Sequence, residues 1–276
     1  MRLSDAANRF NTTVAADAYD SSFSFLIQFE PMSFSKIDGV SILKRQISIS
    51  PNVAVPSRGC ISIGSQVYLT GHGAPDYWKN DVIRTTLIIQ GADGLADLTT
   101  VGDALSGTAP VTAYAAVTFA KYLPDAEDSS RYPPQYQIFF AGSESAPADS
   151  LVHLNSVWYL VKQSYISNSG LLVALANVVD SPSFETATFT SRVYNPVTDA
   201  YTDTPTSTPV FRIKWSEHFK YLSKATEQYE RGDLTVIMLK SVTPDPPDTL
   251  TLSDGVWRVL SSQDEGTTWS CHARRA

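Results

Sequence analysis

The sequence predicts a mainly β protein: two or more small β-barrel or sandwich modules with short helices and long polar loops. Three observations lead there. Hydrophobic residues make up 43% of the 276 residues and charged residues only 18%, the balance of a folded, β-rich chain rather than a disordered one. Ser, Thr, Val, Ile and Tyr crowd the chain, while 14 Gly and 16 Pro break it at short intervals, as expected for many short strands joined by turns. One hairpin pattern also occurs three times, at 61–70 (ISIGSQVYLT), 152–161 (VHLNSVWYLV) and 250–260 (LTLSDGVWRVL).

Each copy of that hairpin has an alternating apolar pair: Ile61/Ile63, Val152/Leu154 and Leu250/Leu252. A small polar turn follows (Gly64-Ser65, Asn155-Ser156, Ser253-Asp254-Gly255), then an aromatic among aliphatics: Tyr68, Trp158 and Trp257. Gly, Asn and Asp tolerate positive φ and close tight turns. Alternation buries one face, and the aromatic on the return strand covers the end of a small barrel. Tyr68, Trp158, Trp257 and Trp269 are therefore the expected hairpin core anchors.

Taken in order, residues 1–36 read as an N-terminal arm with a short helix. Leu3, Ala6, Ala7, Phe10 and Val14 fall at helical spacing over 4–18 behind Ser4 as N-cap. SSFSFLIQF (21–29) alternates as a strand. Residues 37–180 read as one or more barrel-like domains, with a polar inserted loop near 90–110. Residues 181–208, rich in Ser, Thr, Pro and Asp, read as a linker or extended arm. Residues 209–276 read as a C-terminal barrel-like domain. Within it Phe219, Leu222 and Tyr229 recur at helical spacing over 216–231, between Ser216 as N-cap and Gly232 as C-cap.

Chemistry is sparse. The net charge is −7, the opposite of the basic stripe that grips nucleic acid. His72 and Asp76 lie close together in GHGAPDYW, but His153, His218 and His272 are dispersed, and a metal site needs three or four ligands. Cys271 and His272 are strand neighbours and so point to opposite faces. Cys60 and Cys271 read as buried thiols. Arg45, Arg58, Arg84 and Arg192 are scattered without a local signature. Nucleotide-binding, serine-hydrolase, zinc-protease and thiol-redox motifs do not occur. The expectation is a protein that is not an enzyme and uses no cofactor or metal. No window approaches the roughly 20 apolar residues of a membrane span.

From Ser262 the chain reads Ser-x-Asp-x-Gly-x-Thr-Trp, which matches the Asp-box of sialidase-type β-propellers. It occurs once, whereas propeller blades repeat every 40–50 residues, and the box is a folded turn. The hairpin reading is preferred: the box closes the last barrel.

Three segments carry a wider resemblance. QYQIFFAGSESAPADSLVHLNSVWYLVKQSYISNSGLLVALANVV (135–179) and YERGDLTVIMLKSVTPDPPDTLTLSDGVWRVLSSQDEGTTWSCHARR (229–275) resemble the small β-barrel modules of tailed-bacteriophage neck proteins: head-closure, head–tail joining or adaptor proteins. RQISISPNVAVPSRGCISIGSQVYLTGHGAPDYWKNDVIR (45–84) has the same character. The resemblance implies a structural virion protein, assembled in the host cytoplasm and resident in the neck or tail. It would form a six-fold or twelve-fold ring below the portal protein, extend the DNA channel and support the tail. Its partners would be its own copies, the portal, other neck or tail proteins, and genomic DNA passing an acidic wall without specific binding. On this reading Leu3, Phe10, Phe219, Leu222, Tyr229, Arg274 and Arg275 are interface candidates, and no membrane is involved. The alternative, from the Asp-box, 13 Tyr and five Trp, is a carbohydrate-binding or glycan-cleaving β protein of a phage tail.

Overall fold

A computed structural model of the chain describes residues 13–30, 33–37, 40–78, 81–119, 135–179, 183–214, 232–245 and 248–276. Its architecture is three closed six-stranded β-barrels in a row along the chain. Barrel 1 uses β1 (Thr13–Asp17), β2 (Ser24–Phe29), β4 (Val40–Ile49), β5 (Cys60–Ile63), β6 (Gln66–Trp78) and β7 (Asp81–Gly91). An extra strand, β3 (Ser33–Ile37), pairs with β4. Barrel 2 uses β8 (Gly94–Thr100), β9 (Val111–Phe119), β10 (Gln135–Phe140), β11 (Ser150–Leu154), β12 (Val157–Ile166) and β13 (Leu172–Val178). Barrel 3 uses β14 (Ser183–Asn195), β15 (Ala200–Lys214), β16 (Leu234–Leu239), β17 (Thr249–Leu252), β18 (Gly255–Asp264) and β19 (Thr268–Arg275).

The three barrels share one topology. In each, the strands close in the order first, second, third, sixth, fifth, fourth, and every neighbouring pair is antiparallel. The registers agree too. Ile61 faces Tyr68, Val152 faces Tyr159 and Leu250 faces Trp257 across the fourth and fifth strands. The fifth strand then breaks register at the same place each time: after Thr70, after Val161 and after Val259. A bulge sharpens the local twist, which lets a short sheet of this size curl closed. The chain is thus a triplicated barrel.

Alternation fills each interior. Ile27, Ile47, Ile49, Ile61, Leu87 and Ile89 pack inside barrel 1. Ile138, Phe140, Val152, Val161 and a set of alanines pack inside barrel 2. Phe189, Val210, Val236, Met238, Leu250 and Cys271 fill barrel 3. The two-residue hairpin turn in barrel 2 holds Asn155 and Ser156 at φ +50° and +65°, a type I′ geometry that matches strand twist. Gly64 takes φ +63° in barrel 1.

Four expectations need correction. The helix over 4–18 gives way at its C-terminal part to β1, where Ala15 is fully buried in barrel 1; pairing with β2 and β5 overrides the helical spacing. Leu3 and Phe10 lie outside the described residues. The loop near 90–110 contains β8 and a one-turn helix, α1 (Val101–Leu105), N-capped by Thr100. Ala96 and Leu98 alternate inward there among polar neighbours that disguise the strand. The linker at 181–208 is instead β14 and most of β15, whose inward Ala187 and Phe189 are masked in sequence by outward Thr and Ser. Finally, Trp158 does not point into its barrel. Tyr159 does, at the position of Tyr68 and Trp257, because successive strand residues face opposite ways. The predicted helix 216–231, with Phe219, Leu222 and Tyr229, lies outside the described residues.

Candidate assembly interface

The surfaces that join the barrels to one another define what the outer faces can do. Between barrels 1 and 2, Cys60 and Leu69 of β5 and β6 pack on Ala116, Phe139 and Val173 of β9, β10 and β13. Between barrels 2 and 3, Leu151 and Leu160 of β11 and β12, with Trp158, pack on Phe211, Ile213 and Ile237 of β15 and β16. The two seams are the same seam. Leu69 and Leu160 hold the same register position, as do Cys60 and Leu151. Each barrel presents its fourth and fifth strands to the second and third strands of the next.

Two further contacts recur. The connection after the first strand folds onto the following barrel: Tyr19 packs against Tyr114 with the rings tilted at 57° and 5.2 Å between centroids, and its hydroxyl accepts from the Tyr114 N–H at 3.0 Å. In the second seam α1 plays this part, with Val101 and Leu105 buried against Phe211 and Ile237. In addition, the bulge of the fifth strand meets the turn between the last two strands of the next barrel. The His72 N–H donates to the Ser169 carbonyl at 2.8 Å, and a methyl group at Gly71 would stand 1.8 Å from that oxygen. Lys162 takes the equivalent place in the second seam. It is an exposed residue whose pKa is nevertheless lowered by desolvation, opposed by the charges of Asp149 and Glu265, and Glu265 lies in the β18–β19 turn.

A half-exposed ion pair spans the first seam: Arg58 donates to Glu144 at 3.0 Å and to the Thr112 carbonyl at 2.7 Å while lying over the Tyr19 ring. Burial pushes the Tyr19 hydroxyl up to about 12 and the Cys60 thiol likewise to about 12. These shifts mark tightly packed structural groups.

The outer faces differ. On barrel 3, Thr249 and Arg258 occupy the register positions held by Cys60/Leu151 and Leu69/Leu160. On barrel 1, Gln28 and Ser48 face each other where Ala116 and Phe139 stand in barrel 2, and the Ser48 hydroxyl donates to Glu30. Apolar inner faces and polar outer faces are what a finite repeat array requires.

Sequence-derived candidates fall as follows. Tyr68 and Trp257 are buried inside their barrels, 7% and 5% exposed. The Tyr68 hydroxyl accepts from Arg45, and the Trp257 indole donates to Asp254 at 3.0 Å. Burial works against the charge of Asp254, but this bond and Arg212 hold its carboxyl below the ordinary range. Trp158 stacks on His153 at 4.4 Å in the second seam region. Trp269 packs half-buried on the barrel 3 core with Lys240 over its ring at 5.4 Å. Arg274 is held by buried Asp233, which also binds His272 at 2.7 Å, and Arg275 donates to the Asp254 carbonyl. The Asp-box is the β18–β19 turn: Asp264 accepts from Gly266 N–H at 2.8 Å and pairs with Lys240, and Gly266 sits at φ +88°. His72 and Asp76 are not brought together; Asp76 binds Arg84 and Thr86. Among the described residues, no group of three His, Cys, Asp or Glu could hold a metal, and no helix is long and apolar enough to cross a membrane.

What sequence reading missed were the seam residues. Leu69 and Leu160 follow the inward aromatic by one position, a signal visible once the hairpins are aligned on Tyr159 instead of Trp158.

The fold and its seams define the class: an all-β chain of three serially repeated six-stranded barrels. No protein-family model matches the chain, no curated protein matches it, and no solved structure matches it.

Proposed function

We propose that this protein is a structural subunit of a tailed-phage neck, forming a ring that extends the DNA channel and provides a platform for the tail. The observation that supports this most is the placement of the three segments that resemble neck modules. Residues 135–179 supply the third to sixth strands of barrel 2, residues 229–275 those of barrel 3, and residues 45–84 run from the third strand into the sixth of barrel 1. The resemblance therefore falls on one equivalent substructure three times. The net charge of −7 suits a wall past which DNA slides.

The test is electron microscopy with native mass measurement across a concentration series and with a portal protein added. Closed rings with a hole as wide as duplex DNA are the expected result. A chain that stays monomeric alone and with portal rejects the proposal. The carbohydrate reading draws on one observation, the exposed Tyr194–Tyr201 ring pair at 5.3 Å. A glycan that shifts tryptophan fluorescence would turn the assignment to it.

A further inference from the structure

The two outer ends of the array carry the same elements that build the inner seams, but lengthened. In barrels 1 and 2 the connection after the first strand is compact and folds onto the next barrel, through Tyr19 and through α1. In barrel 3 the equivalent connection is an extension of β14 and β15. Their pairing runs from Ser183–Arg212 out to Asn195–Ala200, while β14 touches β17 only at 188–190. Beyond that point the two strands form a ribbon with no third strand among the described residues. It exposes the paired Tyr194 and Tyr201 (48% and 60%) on one face, Val193 (60%) on the other and Val197 (90%) at the tip. A two-stranded ribbon is marginal by itself, and an exposed aromatic pair on such a ribbon marks a contact surface.

The other end is its counterpart. The inner seams receive the bulge of one barrel on the last turn of the next, and those turns are short, 167–171 and 265–267. In barrel 1 the same hairpin runs on through the pairs Asp76–Arg84, Tyr77–Val82 and Trp78–Asp81, with Tyr77 63% exposed. So, among the described residues, the donor end and the receiver end bear extended arms with exposed apolar side chains. The flat faces beneath them match in charge. Arg258 projects from the donor face, exposed. The receiver face holds Glu30 and Asp76 against one Arg84.

We propose that copies of this chain join head to tail through these ends. The outer face of barrel 3, with its ribbon, seats on the β2–β4 face of barrel 1 in a second copy and repeats the internal seam between molecules. This rests on the ring reading and deepens it, because a head-to-tail contact is the heterologous kind that closes into rings. The polar faces explain how the chain stays soluble until copies meet, since non-permanent interfaces are more polar than permanent ones.

The test places a cysteine at each end, Gln28→Cys with Val256→Cys. Val256 holds the register position of Val67 and Trp158, and the native thiols are buried. Mild oxidation of the double variant gives a ladder of disulfide-linked multimers, and neither single variant gives one. In parallel, Tyr194→Asp with Tyr201→Asp, both on the projecting ribbon, lowers the association constant at least about tenfold with unchanged circular dichroism, as loss of aromatic anchors does. Rings that persist in the tyrosine variant, with no ladder from the double cysteine, overturn this inference and leave the ring reading standing. A disulfide dimer from Val256→Cys alone means tail-to-tail pairing and also overturns it. No multimer by native mass, alone or with portal, together with no ladder overturns both.

Discussion

Tyr68, Tyr159 and Trp257 fill one position in three barrels, and the neighbour of each, Val67, Trp158 and Val256, faces out. Two substitutions separate these roles. Trp257→Ala removes a core indole and its bond to Asp254, and should cost about 3–5 kcal/mol, measured by denaturant unfolding. Trp158→Ala should cost less and act on the contact between barrels 2 and 3. Equal losses would mean that the inward and outward assignments are wrong. Cysteine supplies a pH prediction. Burial raises both thiols from 9.0 to about 12, so the folded chain holds these protons after the unfolded chain has released them. Stability is then complete below pH 9 and falls as pH rises toward 12, by about 1.4 kcal/mol per pH unit for each cysteine. Denaturation midpoints for Cys271→Ala against the parent chain between these limits check the slope, which should be shallower in the variant.

Turns and strands were legible in unequal measure. The β5–β6, β11–β12 and β17–β18 hairpins could be read from sequence because their turn residues and alternating apolar pairs are local signals. β8 and most of β14 could not, since a barrel strand with only two inward apolar residues, such as Ala96 and Leu98 or Ala187 and Phe189, looks like polar loop; in β14 only the alternation of ATFTSRVY (187–194) stands out. The seams were hidden for a different reason. Leu69 and Leu160 look like ordinary strand residues until closure shows that they point away from their own barrel. The bulge positions are equally silent in sequence, yet Gly71 is constrained by its approach to Ser169. Gly71→Ala would force its methyl group to within 1.8 Å of a backbone oxygen, which no rotamer can relieve. The expected outcome is a loss of about 3 kcal/mol or more, in the range of overpacked sites, with limited proteolysis newly cutting between β7 and β8. An unchanged digestion pattern and melting temperature would show that the two barrels do not meet there.

At the scale of the whole molecule, three barrels of one topology are fused by two apolar seams, so the chain should unfold as one unit. In an array of repeats, stability is the sum of each repeat and of its interfaces, and cooperativity lasts only while the interfaces are strong. The second seam can be broken at one atom cluster. Leu160 is 1% exposed and packs with Leu151 of its own barrel and with Phe211 and Ile237 of barrel 3. Its side chain lies outside the closed interior of barrel 2, whose core is a separate set of residues. Leu160→Asp buries an unpaired carboxylate between barrels at a cost of several kcal/mol, while leaving both interiors filled. Calorimetry should then resolve two transitions where the parent chain gives one, with barrel 3 melting apart from barrels 1 and 2. Leu154→Asp, inside barrel 2, supplies the contrast. It should lower the whole transition or abolish folding of the middle barrel, and with it the connection between the ends. A single, uniformly lowered transition for Leu160→Asp would mean that the seams do not carry the cooperativity, and that the barrels communicate through the chain alone.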